Sequence, residues 1–363
     1  MRKISLYLMF LTSAVFVASC DKPNVQLHTI IHEDGRCERE VSYHTVMSKE
    51  MRDSLWGGNN VAWAQPLPEC LNTDAFMSTH TDVDGDTVTT TFSISFNSVE
   101  EMCQQTPLNL NGSRIQSKAS LEKRFRWFYT EYAFTETFIS VTDTFKLPVT
   151  DYADKDVVSF WFTGQPNLTQ GLSGAEASEK LKKMEPLVDK WLTENLYQTA
   201  FEYMVENYDS IPNPPISKEL FVSLHDSLAS YMFSKGLVQL DTEPQDVYKE
   251  FFHSDAYAKF FDDTTPLGAG LSSRLATQLD IFWFDVPYSL TMPGTVINPG
   301  AGIIKEGAIY YPLTGERLIP GDYTITATSR VTHIWAYVVT ILIILLAIGS
   351  FIYKGRTNRG KTR

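Results

Sequence analysis

The sequence predicts an α+β chain: a discontinuous antiparallel β domain with a helical insertion, followed by one C-terminal transmembrane helix. Three observations predict it. Apolar residues alternate with a period of two in DTVTTTFSISF (86–96) and again in DIFWFDVPYSLTM (280–292), far apart along the chain. Between these stretches, from about residue 175, the period becomes helical. Strands, then helices, then strands imply one β domain that the helices interrupt. Last, residues 334–353 form a run of 20 without a charge, which at 1.5 Å per residue reaches about 30 Å, the thickness of a hydrocarbon layer.

Residues 1–19 have the three parts of an export signal: Arg2 and Lys3, a short apolar core over 4–17, and the small Ser19. The core is too short to span a bilayer, which needs roughly 20 residues. Val17-Ala18-Ser19 runs directly into Cys20 and resembles the bacterial lipobox. That resemblance implies that the Cys20 thiol takes a diacylglycerol and becomes the new N-terminus. Asp21 resembles the residue that retains such lipoproteins in the inner membrane.

Residues 20–165 read as β-rich. Two short strands are expected over 25–47 around the turn Glu33-Asp34-Gly35, then a looser stretch to about 85, then the strand 86–96. Residues 123–141 are aromatic on both faces and read as one strand buried between layers. A linker over 165–174 leads to the helical insertion, 174–265. Its first helix carries Leu181, Met184, Val188, Trp191, Leu196 and Ala200 on one face, with Pro186 expected to break or kink it. A second runs from the cap Ser217 to Gly236, and Pro244 opens a third. Gly268-Ala269-Gly270 reads as a loop, and 270–333 as returning strands with turns at Pro293-Gly294, Asn298-Pro299-Gly300 and Pro320-Gly321.

The apolar run 334–353 has Trp335 and Tyr337 at one edge and Tyr353 at the other, as interfacial anchors. The tail 354–363 holds Lys354, Arg356, Arg359, Lys361 and Arg363 and no acid, which places it in the cytoplasm. The expected location is therefore a bacterial inner membrane with the body in the periplasm. Only four residues separate Cys20 from the first strand and few separate the last strand from the span. Both ends of the β domain are expected within about 10–15 Å of one bilayer, at ~3.5 Å per extended residue.

All 43 acids fall between the two anchors, against 24 bases there, a net charge of −19. Such a charge excludes nucleic acid as a partner. Cys37, Cys70 and Cys103 allow one disulfide and leave one thiol over, and no CxxC suggests zinc or redox work. His28 and His32 share a face and with His44 or Glu33 could hold a metal, but they read as polar positions on a strand. Leu224-His225-Asp226-Ser227 sets triad residue types side by side, where helical neighbours point apart. Asp82, Asp84 and Asp86 lack the spacing of a calcium loop and read as a hairpin turn. No residue is singled out as catalytic or metal-ligating, and no cofactor is expected. Lys123-Arg124-Phe125-Arg126-Trp127-Phe128-Tyr129 mixes bases with aromatics, a pattern suited to core packing or to a lipid-headgroup platform.

FRWFYTEYAFTETF, together with SRVTHIWAY and the helix after it, resembles an uncharacterised family of Bacteroidota inner-membrane-anchored lipoproteins. SLTMPGTVINPG and GAIYYPLTGERL resemble LppM-type envelope domains, which implies lipid handling. The leading expectation is a doubly anchored envelope lipoprotein whose periplasmic domain is a scaffold for an unknown protein or lipid partner. The alternatives are a lipid- or lipoprotein-handling module with an apolar groove, and a carboxylate-based hydrolase.

Overall fold

Three long antiparallel hairpins form because alternating apolar side chains have one side to bury. The computed structural model describes residues 24–50, 52, 78–110, 113–141, 144–235 and 243–359. β1 (Asn24–Ile31) and β2 (Cys37–Val46) pair around the expected turn, where Gly35 takes φ +98°. β3 (Ser78–Asp84) and β4 (Thr87–Phe96) follow, then a short helix α1 (Val99–Gln105) capped by Ser98 and a small ribbon of β5 (Leu108–Leu110) and β6 (Ser113–Ile115). β7 (Ser117–Phe125) and β8 (Tyr129–Phe138) make the third long hairpin.

The helical part begins with α2 (Lys155–Thr163) and continues through α3 (Gly174–Glu206), α4 (Lys218–Ser223), α5 (His225–Ser234), α6 (Pro244–Phe252) and α7 (Pro266–Leu279). The chain then returns as β9 (Tyr288–Thr291), β10 (Thr295–Asn298), β11 (Ile303–Lys305), β12 (Ala308–Tyr311) and β13 (Tyr323–Thr332). It ends in the apolar helix α8 (Ile334–Arg359). One sheet has seven strands in the order β11-β12-β9-β1-β2-β4-β3, the other four in the order β10-β13-β8-β7.

A mixed α+β architecture with a C-terminal apolar helix is thus present, and the helices do interrupt the β part. Inward residues of the two sheets share one core, with Leu27, Val41 and Tyr43 from the first and Phe134, Phe138 and Ile325 from the second. The helical lobe has its own core around Phe221, Tyr257 and Leu228. A third cluster centred on the fully buried Trp191 joins the two, with the Trp191 indole donating to the Leu147 carbonyl at 2.8 Å.

Several expectations are corrected. The β part is not wholly antiparallel, because β1 and β9 pair in parallel. The helical segments between them supply the long crossover that parallel neighbours require. Residues 123–141 are a hairpin, not one buried strand, and Arg126-Trp127-Phe128 form its tip. Pro186 lies inside the continuous α3. A proline there forfeits a backbone hydrogen bond, which packing of Met184, Val188 and Trp191 and the Ser173/Glu176 capping box offset. The second helix divides at Leu224 into α4 and α5, and it buries Phe221 while Leu220 stays exposed. Pro266 opens the helix α7, which replaces the loop expected at 268–270 and the start of the strands expected from 270, with Thr265 as cap. Gly268 and Gly270 are helical, and they let α7 approach the Asp262 backbone and the Tyr203 ring. In 280–292 only β9 is strand, after a 3-10 turn over Asp280–Trp283, although Phe284, Val286, Tyr288, Leu290 and Met292 are all buried as their alternation predicts.

Strand direction overturns one further expectation. β9 turns into β10 through Pro293-Gly294, and the Ser329 hydroxyl of β13 donates to the Pro293 carbonyl at 2.7 Å. β9 and its parallel neighbour β1 therefore run toward the end of the body where β13 delivers the chain to α8. The turn after β1 lies at that end too: the Glu33 carbonyl accepts from Lys123 Nζ at 2.6 Å and from the Tyr132 hydroxyl at 2.9 Å. Asn24 starts at the opposite end, seven residues or roughly 23 Å away at ~3.3 Å per residue. Four residues from Cys20 to Asn24 reach at most about 14 Å. The two ends of the β part are not side by side.

Candidate functional site

Register brings the tip of the β7–β8 hairpin and the start of α8 to one place. Tyr129, the first residue of β8, pairs with Thr332, the last of β13, so the tip and the apolar helix leave the sheet together. His333 joins them. Its backbone N–H donates to the Phe128 carbonyl at 2.8 Å, and its Nε2 lies 2.9 Å from the Thr130 hydroxyl. The His333 ring stacks on Phe125 at 5.1 Å and on Trp335 at 5.7 Å. Trp127 meets Trp335 edge-on at 5.3 Å, and Phe128 meets Tyr337 at 4.7 Å. The Trp127 indole N–H donates to Thr340 Oγ1 at 2.9 Å. Ala336 is completely buried under this collar, whereas Ile334, Trp335 and Tyr337 are at least half as exposed as free side chains or nearly so.

The contacts descend the helix, Phe128 to Tyr337 and then Trp127 to Thr340. Thr340 lies six residues beyond Ile334, or about 9 Å along the axis. Behind the collar, Arg330 pairs with Glu131 at 2.8 Å and covers the Tyr129 ring at 4.4 Å. The arrangement holds a rigid sheet against the first two turns of an apolar helix through rings and hydrogen bonds.

A second constellation is buried between the sheets. Arg39 Nη2 lies 3.0 Å from both carboxylate oxygens of Glu136, and both side chains are at most 1% exposed. Glu136 also accepts from the Ser117 hydroxyl at 2.8 Å, the Tyr288 hydroxyl at 2.7 Å and the Cys103 thiol at 3.5 Å. The Tyr288 oxygen is 2.9 Å from Thr29 Oγ1. Arg39 Nε and Nη1 have no partner, and the guanidinium lies 5.7 Å over the Tyr288 ring. Burial pulls the Arg39 pKa down, but the Glu136 carboxylate outweighs it and the net direction is up. Burial and then the Glu136 charge push Tyr288 well above its ordinary value. The network joins β1, β2, β7, β8, β9 and α1, and its chemistry is that of an ion pair fixing sheet against sheet.

Cys20, Asp21 and Cys70 lie outside the described residues. Cys37 and Cys103 are both reduced and buried, the first beside the Met102 sulfur and the second on Glu136. Burial pushes each thiol up to about 12. His28 bridges Glu40 at 3.1 Å and Thr291 at 2.9 Å, His32 meets Glu38 at 3.0 Å, and His44 meets Thr89 at 2.8 Å. Each histidine has a cross-strand partner of its own, and no group of three metal-ligating side chains occurs among the described residues. His225 contacts Asp226 at 2.7 Å and Gln198 at 2.9 Å. Asp82 and Asp84 end β3 and Asp86 lies in the turn to β4, as expected.

Sequence reasoning missed His333, Thr340 and the Arg39–Glu136 pair. A signal for the pair was present. Both occupy inward positions of alternating strands, Arg39 between Cys37 and Val41, Glu136 between Phe134 and Phe138. Opposite charges on two apolar faces have to meet each other. Compared with known protein families, curated proteins and solved structures, the chain matches none.

Proposed function

We propose that this chain is a non-enzymatic, membrane-held envelope protein whose extracytoplasmic body is a scaffold that presents a binding face at fixed height. In this reading α8 spans a bacterial inner membrane, the body stands in the periplasm and the basic tail is cytoplasmic. The collar carries the reading. Trp127, Phe128, Thr130 and His333 tie the sheet to α8 over two turns, contacts that a loosely tethered domain does not need. Over residues 334–352 the helix is apolar and almost wholly unburied by the body, as a lipid-facing segment should be.

Two recesses on the described surface are lined by charged side chains, one by Asp246, Lys249, Glu250 and Asp255, the other by Glu33, Asp34, Arg36 and Glu38. That lining supports a polar protein partner over a carried lipid. The acidic helical lobe, repelled by anionic lipid, would face away from the bilayer.

Topology tests the proposal. In cells with a permeabilised outer membrane, a membrane-impermeant maleimide should label Val83→Cys at once and Thr357→Cys only after lysis. Labelling of position 357 in intact spheroplasts, or silence at position 83, would sink it.

A further inference from the structure

We infer that the tip of the β7–β8 hairpin is a second membrane element, immersed beside α8 with Arg126 set for anionic lipid phosphate. This deepens the spanning reading of α8 and rests on it. Three observations converge on the tip. Phe125 is 62% exposed and Trp127 46% exposed, an apolar pair at the extreme end of a hairpin whose Phe134 and Phe138 side chains are buried in the core. β7 itself has no apolar purpose there, since it is the outer strand of its sheet and is exposed from Glu122 onward.

The second observation is depth. The Trp127 indole reaches Thr340, so the tip runs alongside the helix for about 9 Å beyond its first residue. A helix that enters hydrocarbon soon after Trp335 and Tyr337 carries the tip in with it. The exposed rings of the tip are continuous with the exposed apolar surface of α8, and lipid that covers one covers both.

The third is charge. Residues 123–129 hold Lys123, Arg124 and Arg126 and no acid, in a body of net charge −19. Lys123 is turned back to the Glu33 carbonyl and the Tyr132 ring, and Arg124 contacts Glu122, while Arg126 is exposed at the tip. Aromatic rings flanked by bases match the boundary between acyl chains and phosphates, where rings sit at headgroup level and arginine heads reach up to phosphate. Zwitterionic lipid would accept the rings; Arg126 selects lipid whose phosphate leaves a net negative charge.

The test uses the full chain in nanodiscs, with Cys20 and Cys70 changed to serine. A nitroxide is placed at Phe125→Cys, and in separate samples at Leu345→Cys and Val83→Cys. Collision with oxygen should exceed collision with a water-soluble nickel chelate at 345 and at 125, and the reverse should hold at 83. Adding phosphatidylglycerol to phosphatidylcholine should lower nickel access at 125 at least twofold, and Arg124→Gln/Arg126→Gln should abolish that change. Water-like access at 125 with lipid-like access at 345 overturns the immersed tip and leaves the span intact. Water-like access at 345 overturns the spanning reading itself. Immersion at 125 that ignores phosphatidylglycerol overturns the phosphate preference.

Discussion

At the scale of single residues, the Arg39–Glu136 pair shows how an ion pair can specify a fold without adding much stability. Taking two charges out of water costs several kcal/mol each, and the four hydrogen-bonding neighbours of Glu136 (Arg39, Ser117, Tyr288 and Cys103) are needed to offset it. Removing one partner leaves the other charged and buried. Arg39→Met should destabilise the chain by about 3–5 kcal/mol, and Arg39→Met/Glu136→Leu should recover most of that loss, both measured by denaturant unfolding of the full chain. The thiols add a pH dependence. Cys37 and Cys103 are raised by burial from 9.0 to about 12. The unfolded chain ionises its thiols above about pH 9 while the folded chain does not. Stability is therefore complete below pH 9 and should fall as pH rises toward 12, at about 1.4 kcal/mol per unit for each thiol. Unfolding midpoints from pH 8 to 11 check the slope. A flat profile in Cys37→Ala/Cys103→Ala, once tyrosine ionisation is subtracted, would assign it to these two residues.

At the scale of elements, two contacts decide how pieces sit on each other. Gly268, in the first turn of α7, lies so near the Asp262 backbone that a Cβ has no room, whereas a Cβ on Gly174, at the start of α3, meets open space. Gly268→Ala should lower stability by more than 1 kcal/mol, and Gly174→Ala should be neutral or stabilising by up to about 1 kcal/mol. Thermal unfolding of the two variants side by side distinguishes them. The collar is the second contact. Trp127→Ala/Phe128→Ala removes the indole bond to Thr340 and the ring contact with Tyr337. The distance distribution between nitroxides at Val83→Cys and Phe351→Cys should broaden at least twofold, with unfolding midpoint little changed. An unchanged width would mean that the strand–helix junction alone fixes the body.

At the scale of the whole molecule, strand direction governs what the two ends can do. β1 runs toward α8, so Asn24 stands at the far end of the sheet. A nitroxide at Gln26→Cys in nanodiscs should read as fully aqueous. A lipid-like reading there would mean that the body lies along the bilayer, with the collar opened. If α8 spans a bilayer with the body upright, a lipid carried on Cys20 would not reach that same flat bilayer, because four residues reach about 14 Å and β1 alone covers roughly 23 Å. The net charge of the helical lobe acts in the same direction, with 17 acids against 8 bases over residues 174–265.

The strands near both ends, the helical interruption and the apolar terminal run were legible in the sequence because period and length are local properties. The cap Ser217 is local too, whereas Gly268-Ala269-Gly270 reads as a loop although Pro266, just before it, stands at N1, the one place in a helix where a missing N–H is harmless. Pairing is not local. Whether β9 lies parallel to β1, which charges meet between the sheets, and that Phe125 stacks on His333 while Trp127 and Phe128 meet α8 instead of a core depend on register between segments about 100 to 260 residues apart. The sequence by itself determined which faces are apolar; only the tertiary structure decided what each face covers, because side-chain period says nothing about which distant strand supplies the other half of the core.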